Sequence, residues 1–227
     1  MRQELWIDAD DTLWENNIYF ERAFQKFVCI LNHPAMDARQ VRNALDEIEE
    51  VNNRIHGYGS ANFIRNMREC MDRLRGHAAS EAEEEALRRL GAELADHPME
   101  LIEGVEETLE YLSERHELLL CTKGNPAEQE GKIARSGLGR HFGHIRVVRE
   151  KDADCYRALA AERGVRGAEC WMIGNSPKSD INPALEAGLG AVYIPHPHTW
   201  HLEHMEVPGG HERLKVLERF ELLREVF

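Results

Sequence analysis

Five short apolar runs punctuate the chain. Leu5-Trp6-Ile7 ends at Asp8, Leu118-Leu119-Leu120-Cys121 at Thr122, Cys170-Trp171-Met172-Ile173 at Gly174 and Ala191-Val192-Tyr193-Ile194 at Pro195; Ile145-Arg146-Val147-Val148 lies between the second and third of these. Runs this short, bounded by polar residues, glycine or proline, read as strands buried on both faces. Helical patterns separate the later runs. Val105, Leu109 and Leu112 share one helical face. Asn125-Pro126 places a capping side chain before a proline suited to the first helical position, and Gly137 and Gly188 stand where helices stop. Strand alternating with helix predicts an α/β fold, a parallel sheet with helices on both faces. Ligands in such folds bind beyond the carboxyl ends of the strands, the edge that Asp8, Thr122 and Gly174 would share.

Residues 16–96 break this alternation. They hold no convincing strand, whereas Phe20, Phe24 and Phe27 fall on one helical face, as do Val41, Leu45 and Ile48. Glu81-Ala82-Glu83-Glu84-Glu85 begins another helix, and Gly57-Tyr58-Gly59-Ser60 is a flexible break. The expectation is a helical domain over 16–96 inserted into a core of residues 1–15 and 97–227, capping the strand edge. Val216, Phe220, Leu223 and Phe227 predict a final helix over about 212–227.

Charge narrows the function. Lys and Arg number 28 against 41 Asp and Glu, so the net charge is 28 − 41 = −13. Such a chain is a poor nucleic-acid binder and a poor coat for anionic membranes. No apolar run spans a bilayer, and the first residues lack the order of a signal peptide. The five cysteines are odd in number, scattered and without a CxxC pair, which fits reduced thiols in the cytoplasm.

The chemistry gathers at the strand ends. Asp8-Ala9-Asp10-Asp11-Thr12 follows the first run. Two carboxylates two residues apart at a strand–loop junction can face one pocket, and that needs a cation; hard oxygen ligands suit Mg²⁺. An acidic turn or a helix cap accounts for the same residues. Thr122 offers a hydroxyl, Lys151 an ammonium, and Gly174-Asn175-Ser176-Pro177-Lys178-Ser179-Asp180 a further carboxylate. Each alone is an ordinary turn or surface residue. Their order, each after a successive strand, is not ordinary.

In that order the sequence resembles the haloacid dehalogenase superfamily, over about residues 1–15 and 97–195. The motif DxDxT matches Asp8 to Thr12, the Ser/Thr motif Thr122 and the lysine motif Lys151; Lys132, inside a helical pattern, is the weaker candidate. The usual GDxxxD appears as Gly174 to Asp180 with Asn175 in place of the first acid, an amide that brings no charge to a metal. The resemblance implies a Rossmann-like sheet flanked by helices with an inserted helical cap. It implies Asp8 as nucleophile, forming an aspartyl-phosphate, and Asp10 as the acid and then the base. It places Thr122 and Lys151 on the transferring phosphoryl group, with Lys123 and Gly124 as further phosphate contacts. Mg²⁺ would lie on Asp8, Asp10 (through its backbone carbonyl) and Asp180, with Asn175 close by. Asp10 selects phosphate-ester hydrolysis, because the dehalogenases lack an aspartate there.

The physics asks for the same division. A carboxylate nucleophile splits one difficult step into two, and a cation and a lysine offset its repulsion from phosphate. Like charge side by side is expected to leave Asp10 protonated and Asp8 ionised. Asp11 should point away. The expected function is a Mg²⁺-dependent phosphatase of a small phosphorylated metabolite, with a phosphomutase or a non-catalytic phosphate-binding protein as rivals. The histidines between His196 and His211 lie in a Pro/Gly-rich loop and are read as lining the mouth of the site rather than holding a metal.

Overall fold

The computed structural model describes residues 2–227. The chain divides into two compact units, one of residues up to Asn17 with Met99–Phe227, the other of Ile18–Pro98.

The first unit holds one six-stranded parallel sheet of order β3-β2-β1-β4-β5-β6. Its strands are β1 (Glu4–Ile7), β2 (Glu117–Lys123), β3 (His144–Val148), β4 (Cys170–Gly174), β5 (Gly190–Tyr193) and β6 (Leu214–Val216). Successive side chains point to opposite faces, and each face has its own apolar core. Leu5, Ile7, Leu118, Leu120, Ile173 and Val192 pack on one side with Val105, Leu109 and Leu112. Trp6, Leu119, Cys121, Met172 and Ala191 pack on the other with Tyr156, Leu159 and Ala184. Burial on both faces is why the strands read as continuous apolar runs. Ile7 pairs level with Leu120 on one side and Ile173 on the other, so the chain leaves β1, β2 and β4 at one edge.

Two expectations need correction. Ile145–Val148 is not buried on both faces: β3 is an outer strand, and Ile145 is 37% exposed. The predicted final helix over about 212–227 is instead β6, a single 3₁₀ turn (Phe220–Leu222) and one helical turn (Leu223–Val226). The open edge of β5 takes Leu214–Val216 into its ladder, and edge pairing outweighs a helical spacing that only Phe220 and Leu223 use for burial.

Between the strands run α5 (Val105–Ser113), α6 (Pro126–Ser136), α7 (Ala153–Arg163) and the short α8 (Asn182–Glu186). Asn125 caps α6 by accepting the Glu128 N–H, Pro126 takes the first turn, and Gly137 ends it in the left-handed conformation. Earlier in the chain lie α1 (Asn17–Leu31), α2 (Ala38–His56), α3 (Ser60–Arg75) and α4 (Glu81–Ala95). Capping boxes at Asp37/Gln40 and Ser80/Glu83 start α2 and α4. Gly57 and Gly59, both at positive φ, make the break before α3. Phe24, Phe27, Val41, Leu45, Ile48, Met67 and Leu87 fill this unit's core. No helix among the described residues is long and apolar enough to cross a membrane, and all five cysteines are unpaired.

The helical unit also buries polar groups. Asn52 donates to Asn66 Oδ1 (2.9 Å) and Glu69 Oε2 (2.8 Å), and Glu49, 4% exposed, keeps an unpartnered Oε2. Burial pushes the Glu49 carboxyl up to about 8, against the opposing charge of Arg42. A folded-state value above the unfolded one means that stability is full below about pH 4 and falls as pH rises towards 8. Glu49→Gln should therefore raise stability at pH 8 by about 2 kcal/mol, a gain that shrinks towards zero near pH 4. Urea unfolding at the two pH values measures this.

Candidate active site

The loop after β1 is built to turn sharply. Thr12 and Leu13 N–H both reach Ala9 O, and Asp11 N–H reaches Trp14 O at 2.8 Å. Asp11 takes φ 59°, a region that Asp tolerates, and its carboxylate accepts the N–H groups of Asn16 (2.9 Å) and Asn17 (3.0 Å). Asp11 is thus spent on the turn, whose left-handed backbone rather than strand alternation sets its direction. Ala9, Leu13 and Trp14 are fully buried and hold the loop to the core.

Asp8 and Asp180 meet through Lys151. The Lys151 ammonium, on a side chain 1% exposed, lies 2.8 Å from Asp180 Oδ1 and also hydrogen-bonds Asp8 Oδ1. Asp180 Oδ2 accepts the Ser176 N–H at 3.0 Å. Gly174 makes room for this carboxylate, since a Cβ there would stand 2.2 Å from Asp180 Oδ2. Thr12 Oγ1 lies 3.2 Å from Asp8 Oδ2 and 3.3 Å from Asn175 Oδ1, and its single proton serves one of them at a time. Asn175 Nδ2 donates to Thr199 Oγ1 at 2.9 Å, which turns the amide oxygen towards Thr12 and Asp8.

Asp10 has its own lysine. Lys132 Nζ lies 3.0 Å from each carboxylate oxygen of Asp10 and 2.7 Å from Asn16 Oδ1. Trp14 Nε1 donates to Asp10 Oδ1 at 2.8 Å. Gln129 Nε2 is 3.0 Å from Asp10 Oδ2, 2.9 Å from Thr122 Oγ1 and 2.9 Å from Lys123 O, tying Thr122 to the cluster.

This pairing works against the expected division of charge. Burial pushes the Asp8 carboxyl up to about 7; the charge and hydrogen bond of Lys151 oppose this, and the charge of Asp180 adds to it. Burial also acts on Asp10, but the Lys132 ammonium and hydrogen bonds from Gln129, Lys132 and Trp14 outweigh it and hold Asp10 below the usual carboxylate range. Two carboxylates share Lys151, whereas Lys132 gives both its contacts with this group to Asp10.

Lys123 and Gly124, whose backbone amides are the expected phosphate contacts, have further partners of their own. The Lys123 ammonium turns to Ser179 Oγ (2.8 Å) and Glu203 Oε1 (2.6 Å), because buried Glu203 needs a counter-charge. Gly124 N–H points to Val148 O at 3.4 Å, and its φ of +149° lets the backbone pass Gln129, which a Cβ would meet at 3.0 Å. Glu203 further accepts the Ser176 and Ser179 hydroxyls, pinning the loop after β5 to the turn that carries Asp180.

Sequence reasoning missed Trp14, Gln129 and Glu203 and undervalued Lys132. A signal existed for the pair on α6. Gln129, Lys132 and Ile133 form one buried face by their spacing, and polar residues on a buried face need partners.

The donors suit a hard divalent cation. Asp8, Asp180 and the Asn175 amide are buried oxygen groups, and one ammonium leaves one of the two carboxylate charges uncompensated. Asp11, Glu15 and His196 form a second group, with ligand atoms within 4.8 Å of one another. There His196 Nε2 lies 3.3 Å from Glu15 Oε1, and His196 Nδ1 accepts the His198 N–H. The histidine is packed against Glu15 and His198, and burial lowers its pKa from the usual imidazole value.

A haloacid dehalogenase-like hydrolase family model matches residues 6–188. Among curated proteins, a phosphoserine phosphatase from Thermus thermophilus is 30% identical over 82 residues, 34% of this chain and 33% of that one. A pyrimidine 5'-nucleotidase, PynA, from Streptococcus pneumoniae is 31% identical over 110 residues, 45% of each. The chain thus matches less than half the length of either. Among solved structures, a haloacid dehalogenase-like family hydrolase from Xanthomonas campestris superposes with a TM-score of 0.87 at 29% identity, covering 99% of this chain and 90% of that one. Haloacid dehalogenases share the fold at 14–16% identity. With residues 6–188 matched, the chain belongs to the haloacid dehalogenase-like hydrolases.

Proposed function

We propose that this hydrolase is a Mg²⁺-dependent phosphatase of small phosphomonoesters, working through an aspartyl-phosphate on Asp8 in the reducing cytoplasm. The observation that carries the reading is Lys151 shared between Asp8 and Asp180, with Asp10 held beside them by a second lysine. A dehalogenase has no use for Asp10, whereas ester cleavage needs a proton donor for the leaving oxygen. The phosphatase and nucleotidase names of the two curated relatives point the same way.

Asp8 attacks phosphorus, and the bond from phosphorus to the ester oxygen breaks. Lys151 and the Thr122 hydroxyl hold phosphoryl oxygens. The leaving oxygen takes a proton from Asp10. The dianionic ester entering beside Asp10 adds the like charge that favours its protonated form against the pull of Lys132. Water then attacks the aspartyl-phosphate, Asp10 takes its proton, and Asp8 is regenerated with release of phosphate. Asp8, Asp180 and the Asp10 carbonyl, with Asn175 close by, would hold Mg²⁺, which would neutralise charge between carboxylate and phosphoryl group. We assign selection of the substrate to the helical unit.

Asp8→Asn should lower hydrolysis of p-nitrophenyl phosphate by about a thousandfold or more, since the nucleophile is lost. It should leave Lys151 and Asp180 as a balanced pair, so circular dichroism and thermal unfolding should show a fold at least as stable at pH 8. Retention of wild-type turnover would refute Asp8 as nucleophile.

Chelation by EDTA should abolish turnover and added Mg²⁺ should restore it. Undiminished hydrolysis in EDTA would contradict the metal requirement.

A further inference from the structure

We propose that Lys132 is a positioning residue that orients the Asp10 carboxylate for proton transfer to the leaving oxygen. This rests on the phosphatase reading above, in which Asp10 is the proton donor.

An ionised carboxylate offers about four lone-pair sites. At Asp10 all are used: Oδ1 by Trp14 Nε1 (2.8 Å) and Lys132 Nζ (3.0 Å), Oδ2 by Gln129 Nε2 (3.0 Å) and Lys132 Nζ (3.0 Å). Lys132 is the one partner that grips both oxygens. Its side chain is 4% exposed, beside Ile133 on the buried face of α6. A lysine there loses its hydration, and a carboxylate contact is what offsets the loss. The same ammonium holds Asn16 Oδ1 at 2.7 Å, next to the carboxyl-terminal end of the β1 loop. Gln129, one turn earlier on α6, reaches both Asp10 and Thr122. Helix α6 therefore references the proton donor against the hydroxyl proposed to hold the phosphoryl group. Asp10 has two side-chain torsions, and a misplacement of ~1 Å can cost about a hundredfold in rate.

Two esters of nearly the same size separate this role from a structural one. Nitrophenolate leaves without help, whereas phenolate, a stronger base, gains from a proton. With Mg²⁺ present, Lys132→Met should lower kcat/KM for phenyl phosphate by about tenfold more than for p-nitrophenyl phosphate. Lys132→Arg, which keeps the charge and can span both oxygens, should recover most of the difference. Circular dichroism checks the fold, and Lys132→Gln takes the place of Lys132→Met if the methionine variant does not fold. Equal losses on the two esters, a loss confined to KM, or no loss would overturn the inference and leave the phosphatase reading standing. A wild-type protein inert towards both esters would overturn both.

Discussion

One buried ammonium organises the sheet edge. Lys151, between β3 and α7, reaches across to Asp8 after β1 and to Asp180 beyond β4. It joins three loops that are far apart in the chain. None of the three groups would persist ionised and alone in that interior, because an unpaired buried charge is expensive. Two carboxylates against one ammonium leave a residual negative charge, which suits a hard divalent cation. Burial pushes the Asp8 carboxyl up to about 7, and the Lys151 ammonium works against that push.

The sheet makes this convergence cheap. Parallel pairing sends β1, β2 and β4 out at one edge, so Asp8, Thr122 and Asp180 need little extra chain to come near one another. Each loop is then secured separately. Asp11 and the buried Ala9 and Leu13 hold the first. Gln129 ties down Thr122, and Glu203 with Ser176 and Ser179 fastens the turn that carries Asp180. The close approach of Gly174 to Asp180 excludes any side chain there.

The strands with both faces buried were legible because burial on two sides removes the polar half of the pattern. The gathering of Asp8, Asp10, Thr122, Lys151 and Asp180 at one sheet edge was legible because parallel strands end on one side. What escaped was decided by partners far away in sequence. Lys123 is drawn to Glu203, 80 residues on, and Lys132 to Asp10, 122 residues back. Two neighbouring carboxylates suggest that the outer one is protonated, whereas Lys132 beside Asp10 and burial around Asp8 push the other way. The strand β6 escaped for a similar reason: its three residues gain order from the open edge of β5, not from their own pattern.

The central claim is covalent bonding between Asp8 and phosphorus. A crystal structure of the protein with Mg²⁺ and beryllium fluoride, whose trigonal group mimics a phosphoryl bound to carboxylate, tests it directly. The account expects beryllium bonded to an Asp8 carboxylate oxygen, with Lys151 and Thr122 against the fluorides. Beryllium bonded to another side chain, with Asp8 bare, would contradict it.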